Sequence, residues 1–140
     1  MPLEVVTGSA EETTRWGREF AAKLTAPAVV LLTGDLGSGK TTLTKGIIAG
    51  LGAAREEDVT SPTFTLVHVY RRPVTIYHVD LYRVEQLHDF ETLGLEDIFA
   101  KPGILIVEWA ERFALRADWP TIRIHLEHEG DDRRRISVSS

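Results

Sequence analysis

The sequence predicts an α/β fold in three layers, with a mostly parallel central sheet and added antiparallel strands. Three observations predict it. The apolar run over residues 28–32 reads as a buried strand, and it leads into the glycine-rich stretch Gly34-Asp35-Leu36-Gly37-Ser38-Gly39-Lys40-Thr41. Leu43, Ile47 and Leu51 follow at i, i+4 and i+8, one face of a helix leaving that stretch. A second unbroken apolar run, Ile104-Leu105-Ile106-Val107, supplies another fully buried strand.

The other elements follow in chain order. Leu3-Glu4-Val5-Val6-Thr7 forms a short first strand. Ser9-Ala10-Glu11-Glu12 has capping-box spacing, with Ser9 as N-cap and Glu12 at N3, and Trp16, Phe20 and Leu24 then line the core side of a helix. Gly50 and Gly52 stop the helix that leaves the glycine-rich stretch. Residues 55–62 read as a polar loop. Residues 64–70 and 74–79, joined by Arg71-Arg72-Pro73, read as a β-hairpin, which puts an antiparallel pair inside an otherwise parallel sheet. Residues 87–100 hold one or two short helices interrupted at Gly94. Ile122, Ile124 and Leu126 alternate with Arg123, His125 and Glu127 in a half-buried strand. Glu129-Gly130-Asp131-Asp132 turns the chain, which returns over 134–139 with Ile136 and Val138 inward. No repeat or linker divides the 140 residues, so a single domain is expected over 1–140.

Composition bounds the function. Hydrophobic residues make up 43% of the chain, enough for a core, and leave little length for a lid or a separate substrate domain. The absence of cysteine excludes disulfides and thiolate metal sites and fits a reducing cytoplasm. Met1-Pro2-Leu3-Glu4 shows no charged-then-apolar leader, and no apolar run approaches membrane-spanning length, so a soluble cytoplasmic protein is expected. A formal net charge of -5 argues against tight binding of bulk nucleic acid through phosphate neutralisation. Arg133-Arg134-Arg135 is the one basic run, read as a solvated strand edge, with contact to a nucleotide or RNA phosphate as the second reading.

The glycine-rich stretch matches G-x-x-x-x-G-K-[ST] in full, and strand, loop and helix all stand in the order that a phosphate-binding loop requires. The fold expected is therefore that of the P-loop nucleoside triphosphatases. Glycines let backbone N–H groups come close to phosphate oxygens, and the helix N-terminus adds its positive dipole end there. Lys40 supplies a mobile charge for the β- and γ-phosphates, and the Thr41 hydroxyl can ligate Mg²⁺. An ordinary glycine-rich turn does not explain why Lys and Thr follow the last glycine.

Such a loop needs acids to hold Mg²⁺ and to orient the attacking water. Asp80 closes the strand ending His78-Val79-Asp80, and Glu108 closes Ile104-Leu105-Ile106-Val107-Glu108, at the strand ends where α/β sheets bind ligands. The shorter Asp80 suits Mg²⁺, and Glu108, beside Trp109, suits the water, but the two assignments are exchangeable on sequence. Thr60-Ser61-Pro62-Thr63 reads either as a plain turn or as a switch loop sensing the γ-phosphate. The five histidines show no metal spacing; His68 and His78 are expected to face away from the core, and His88, His125 and His128 to lie at the surface.

Four segments in order, the phosphate loop through Thr42-Leu43, Ser61-Pro62-Thr63-Phe64-Thr65-Leu66-Val67, His78-Val79-Asp80-Leu81-Tyr82-Arg83 and Val107-Glu108-Trp109, resemble the TsaE family (older name YjeE) over nearly the whole chain. The resemblance implies an ATPase that serves the partners TsaB and TsaD, which transfer a threonylcarbamoyl group to adenosine 37 of tRNA. It implies that ATP binding favours docking on that pair, that hydrolysis resets the complex, and that tRNA is met only through it. Carried over, the resemblance assigns Gly34 to Thr42 to nucleotide binding, Asp80 to the Mg²⁺ side and Glu108 to catalysis, with Trp109 beside it. The stretch from Ser61 to Thr65 corresponds to the family's switch-like loop, and the stretch from Thr13 to Gly17 resembles a family segment near the adenine. Many members carry proline after Glu-Trp, where this chain has Ala110-Glu111; a changed helix start rather than changed chemistry is expected.

Three rivals stand beside it. A small-molecule kinase is permitted by the loop and Asp80, with Arg112 and Arg116 as phosphate clamps, but little chain is left for an acceptor pocket. A regulatory GTPase lacks its Asn-Lys-x-Asp and Asp-x-x-Gly motifs. A binding module that never hydrolyses has no need of Glu108. With no lid and no built-in arginine finger, slow ATPase activity in isolation is expected.

Overall fold

The computed structural model describes residues 3–35, 37–62, 66–115 and 118–140. Leu36, Thr63, Phe64, Thr65 and Arg116 of the readings above lie outside the described residues.

Seven strands share one sheet: β1 (Leu3–Thr7), β2 (Ala28–Thr33), β3 (Val67–Tyr70), β4 (Ile76–Asp80), β5 (Ile104–Glu108), β6 (Thr121–His128) and β7 (Arg134–Ser139). Their order is β1-β7-β6-β2-β5-β4-β3. β6, β2, β5 and β4 pair in parallel, while β3, β7 and β1 are added antiparallel. The unbroken apolar runs in β2 and β5 are explained by this place in the sheet. A central parallel strand is covered on both faces, so both of its side-chain rows must be apolar.

Helices α1 (Ala10–Ala21) and α2 (Lys40–Gly50) cover one face, where Phe20, Leu43 and Ile47 meet Val30, Leu32, Ile104, Ile106, Ile124 and Ile136. The short α3 (Leu87–Glu91) and α4 (Leu95–Ile98), split at Gly94, belong to the other face, where Phe90 and Ile98 join Val29, Leu31, Leu105 and Val107. Three layers result, as the pattern predicts.

Ser9 caps α1 by accepting the Glu12 N–H at 3.1 Å. Glu12 reaches back to the Gly8 N–H, one residue ahead of the N-cap, so the reciprocal bond of the capping box is displaced by one position. Trp16 stacks on Phe20 at 5.3 Å between ring centroids. The stretch 55–62, read as a polar loop, holds a 3₁₀ turn at Glu56–Asp58 and a fully buried Val59. Val59 packs in the core and ties the stretch to it. Among the described residues, no helix is long and apolar enough to cross a membrane.

α1 and α2 approach so closely that their backbones nearly touch. A Cβ on Gly46 would lie 2.1 Å from the Thr14 carbonyl oxygen, a backbone atom that cannot move aside alone. That closeness fixes the height at which α2 begins, and therefore where its first turn faces the sheet. Gly46→Ala is expected to force the helices apart and lower the unfolding free energy by about 1–3 kcal/mol, the usual penalty for overpacking. Urea denaturation checks it, and an unchanged midpoint would contradict the close-contact account.

Candidate functional site

β2 delivers the chain at Thr33 into the loop, and α2 takes it away at Lys40. Gly34 (φ +142°) and Gly39 (φ +103°) hold backbone conformations that side chains rarely adopt. Gly39 is the N-cap of α2 and offers no side-chain acceptor, so no cap covers the first-turn N–H groups. These are the donors that a phosphate group can accept from. The Lys40 ammonium donates to the carbonyl oxygens of Gly34 (2.5 Å) and Asp35 (2.9 Å) and reaches Ser38 Oγ at 3.3 Å. It also lies 3.9 Å from the centre of the Trp109 ring, a cation–π contact. Lys40 is buried, and that desolvation lowers its pKa from the ordinary lysine value of 10.5; the carboxylates of Glu111, Glu108, Asp80 and Asp35 pull the other way without cancelling it.

Both predicted acids reach the same cleft. In the parallel register, Leu32 sits opposite Glu108 and Glu108 opposite Asp80, so the three strands end level beside the loop. Glu108 Oε1 accepts from the Thr41 hydroxyl at 2.7 Å, and Oε2 is bonded to His78 Nε2. Asp80 Oδ2 accepts from Ser61 Oγ at 2.6 Å, and Oδ1 accepts from the Tyr82 N–H at 2.8 Å. Glu108, not Asp80, therefore holds the Thr41 hydroxyl, and Asp80 is tied to the predicted switch segment.

The cleft encloses about 350 Å³ and is lined by Ser38, Lys40, Thr41, Ser61, Asp80 and Glu108 among others. Gly37, Gly39, Thr42 and Trp109 also line it, whereas Thr60 is exposed outside. Trp109 takes a left-handed backbone conformation (φ +60°) directly after β5, and that turn swings its ring over Lys40 and against Tyr82 at 4.9 Å. Thr13 is buried, its hydroxyl bonded to Thr7 Oγ1 at 2.6 Å, and it shares a small second cavity with Gly39 and Thr42. The exposed Arg112 lies over the Tyr82 and Trp109 rings at 5.6 and 5.7 Å rather than in the loop.

Three residues of the site depart from the sequence reading. His78, expected to face away from the core, is fully buried and bonded to Glu108. The departure has a simple cause: β4 is covered on both faces, and alternation puts His78 on the same side as Asp80, two residues on. Glu111, in the Ala110-Glu111 stretch assigned to a helix start alone, accepts the loop's Gly34 N–H at 3.1 Å. Arg134, read as part of a solvated edge, lines the cleft. Period-two spacing from Asp80 and from the inward Ile136 could have found the first and the third.

No cluster of three or more His, Asp or Glu suited to a metal occurs among the described residues. That donor set still fits Mg²⁺, which is held by one or two carboxylates together with substrate phosphates and water. Glu108 presents one carboxylate beside the loop, next to the Thr41 hydroxyl, and Asp80 presents a second facing the same space.

The family described as threonylcarbamoyl adenosine biosynthesis protein TsaE matches residues 7–136. A TsaE from Treponema pallidum is 39% identical over 98% of this chain and 100% of its own length. One from Bacillus subtilis is 39% identical over 96% of this chain and 83% of its own. The crystal structure of Bacillus subtilis YdiB superposes with a TM-score of 0.75 at 35% identity, covering 99% of this chain and 84% of that one.

The buried ammonium gives a pH signature. A lysine whose folded pKa lies below its unfolded value binds fewer protons when folded, so its contribution to stability improves as pH rises through the folded pKa toward 10.5. The stability of the unmodified chain relative to Lys40→Met is expected to increase over that window, measured by urea unfolding of both at matched pH. A difference that stays flat up to 10.5 would show that the ammonium is not desolvated.

Proposed function

This chain belongs to the TsaE family, and from that premise we propose that it is a Mg²⁺-dependent ATPase serving threonylcarbamoyl transfer to adenosine 37 of tRNA. A role in the biosynthesis of tRNA threonylcarbamoyladenosine is what family membership states; the ATPase chemistry and the partners TsaB and TsaD are the reading added here. One observation carries it. Lys40, Thr41, Asp80 and Glu108, from two separate strand ends and a helix start, converge on one cleft.

Each group has a part in that reading. The loop N–H groups and the start of α2 bind phosphate oxygens. Lys40 exchanges its carbonyl partners at Gly34 and Asp35 for the β- and γ-phosphates, an exchange made easier because no carboxylate among the described residues holds it at hydrogen-bonding distance. Thr41 and Glu108 are the residues to hold Mg²⁺, with Asp80 beside them; bound Mg²⁺ offsets the charge on the transferring phosphoryl oxygens. Asp80, tied to Ser61, links the acids to the stretch beginning at Thr60, which supports a switch that registers the nucleotide. His78 fixes the second carboxylate oxygen of Glu108 and so keeps that side chain aimed at the loop.

Slow hydrolysis by the chain alone suits this arrangement, and docking on the TsaB–TsaD pair supplies the rest. ATP binding favours docking and hydrolysis releases it. Purified protein should hydrolyse ATP slowly and clearly faster with the pair, and Lys40→Ala and Glu108→Gln should each cut the stimulated rate roughly 100-fold or more. Absence both of stimulation and of nucleotide-dependent association would remove the partner assignment and reopen the small-molecule kinase, to be pursued with an acceptor screen.

A further inference from the structure

Hydrolysis of ATP joins a water oxygen to the γ-phosphorus and breaks the bond to the β–γ bridging oxygen. ADP, phosphate and one proton released to solvent result. Negative charge is spread over the γ-phosphoryl oxygens on the way and calls for cations around them. Of the groups assigned above to the terminal phosphate, Lys40 is the only cation, while Asp80 and Glu108 add negative charge to the same space.

The turn after β5 brings a further cation to this place. Ala110–Arg112 form one 3₁₀ turn, in which the Arg112 N–H donates to the Trp109 carbonyl at 3.1 Å. Two contacts clamp the turn to the phosphate loop. Glu111 accepts the Gly34 N–H at 3.1 Å, and the Trp109 ring covers the Lys40 ammonium at 3.9 Å. From this clamped backbone the Arg112 guanidinium lies over the rings of Tyr82 (5.6 Å) and Trp109 (5.7 Å), and both rings line the cleft. One indole thus neighbours two cations, Lys40 and Arg112.

Arg112 is held differently from Arg18, Arg55 and Arg135. Each of those lies within ion-pair distance of a carboxylate, and Arg112 lies within it of none among the described residues. An exposed cation–π contact is a weak hold, whereas a charge-assisted bond to a phosphoryl oxygen is a strong one. The backbone is fixed, and the side chain has a partner it can readily give up.

We propose that Arg112 is a catalytic residue that leaves the Tyr82 and Trp109 rings in the nucleotide-bound chain and donates to the γ-phosphoryl oxygens during transfer. It takes part in no bond change. The inference rests on the nucleotide reading above and supplies from within the chain the arginine that the sequence reading left out. ADP carries no γ-phosphoryl group, so Arg112 governs turnover and leaves ADP binding unchanged.

The test compares Arg112→Ala, Arg112→Lys and the exposed control Arg123→Ala with the unmodified chain. Calorimetry with the TsaB–TsaD pair present measures Mg²⁺–ADP binding with and without aluminium fluoride, a mimic of the phosphoryl group in transit. ATP turnover is measured alone and with the pair. Arg112→Ala should bind ADP within twofold of the unmodified chain and keep its KM. It should lose roughly 100-fold or more in affinity for ADP with aluminium fluoride and in the faster of its two turnover rates. Arg112→Lys should recover part of both losses, and Arg123→Ala should match the unmodified chain. An equal loss with and without aluminium fluoride, together with a lowered melting temperature, would make Arg112 a support for the turn and overturn the inference. Turnover by Arg112→Ala within threefold of the unmodified chain also overturns it. If the unmodified chain binds no ADP, the nucleotide reading fails with Arg112 intact, and the inference falls with it.

Discussion

The carboxyl ends of β2, β5 and β4 finish side by side because the three strands pair in parallel without slip, Leu32 opposite Glu108 and Glu108 opposite Asp80. Everything in the site depends on that register. A shift of one residue would turn each strand over and exchange its core row for its site row. The rows are continuous: Ile104 and Ile106 lead to Glu108, Ile76 and His78 to Asp80, and Val138 and Ile136 to Arg134. The polar residues of the cleft are thus the upward ends of the same side-chain rows that form the α1–α2 core. Burial of the apolar part holds the polar part in place.

The arrangement concentrates charge where water is scarce. Lys40, Asp80 and Glu108 are 5%, 2% and 1% exposed, which makes each dependent on its hydrogen-bond partners. Glu108 divides its oxygens between Thr41 and His78, Asp80 between Ser61 and the Tyr82 backbone, and Lys40 among the loop carbonyls. In this conformation the groups that would bind a nucleotide bind one another. A site of this kind gives up some stability to keep reactive groups poised.

Much of this was legible in the sequence, and the reason is locality. The phosphate loop, the capping of α1 by Ser9 and the acids closing β4 and β5 are each encoded within a few neighbouring residues. What escaped depends on partners far along the chain. His78 meets Glu108 across 30 positions, and Glu111 meets Gly34 across 77. Arg134 reaches Gly39 only because β7 folds back along β6. Sheet register is what buries His78 and brings Arg134 to the cleft, whereas Glu111 stays exposed and reaches Gly34 from the turn after β5. The hydrogen bond from the Thr41 hydroxyl to Glu108 likewise joins residues 67 positions apart.

The central claim is that the loop and β5 act as one unit through the Thr41–Glu108 hydrogen bond. A double-mutant cycle on Mg²⁺-dependent ADP affinity, with Thr41→Val, Glu108→Gln and both together, tests it most directly. The account predicts that the double variant loses little more than the worse single variant, because both changes remove the same Mg²⁺-side contact. Losses that add to within about 0.5 kcal/mol, as for independent sites, would contradict it.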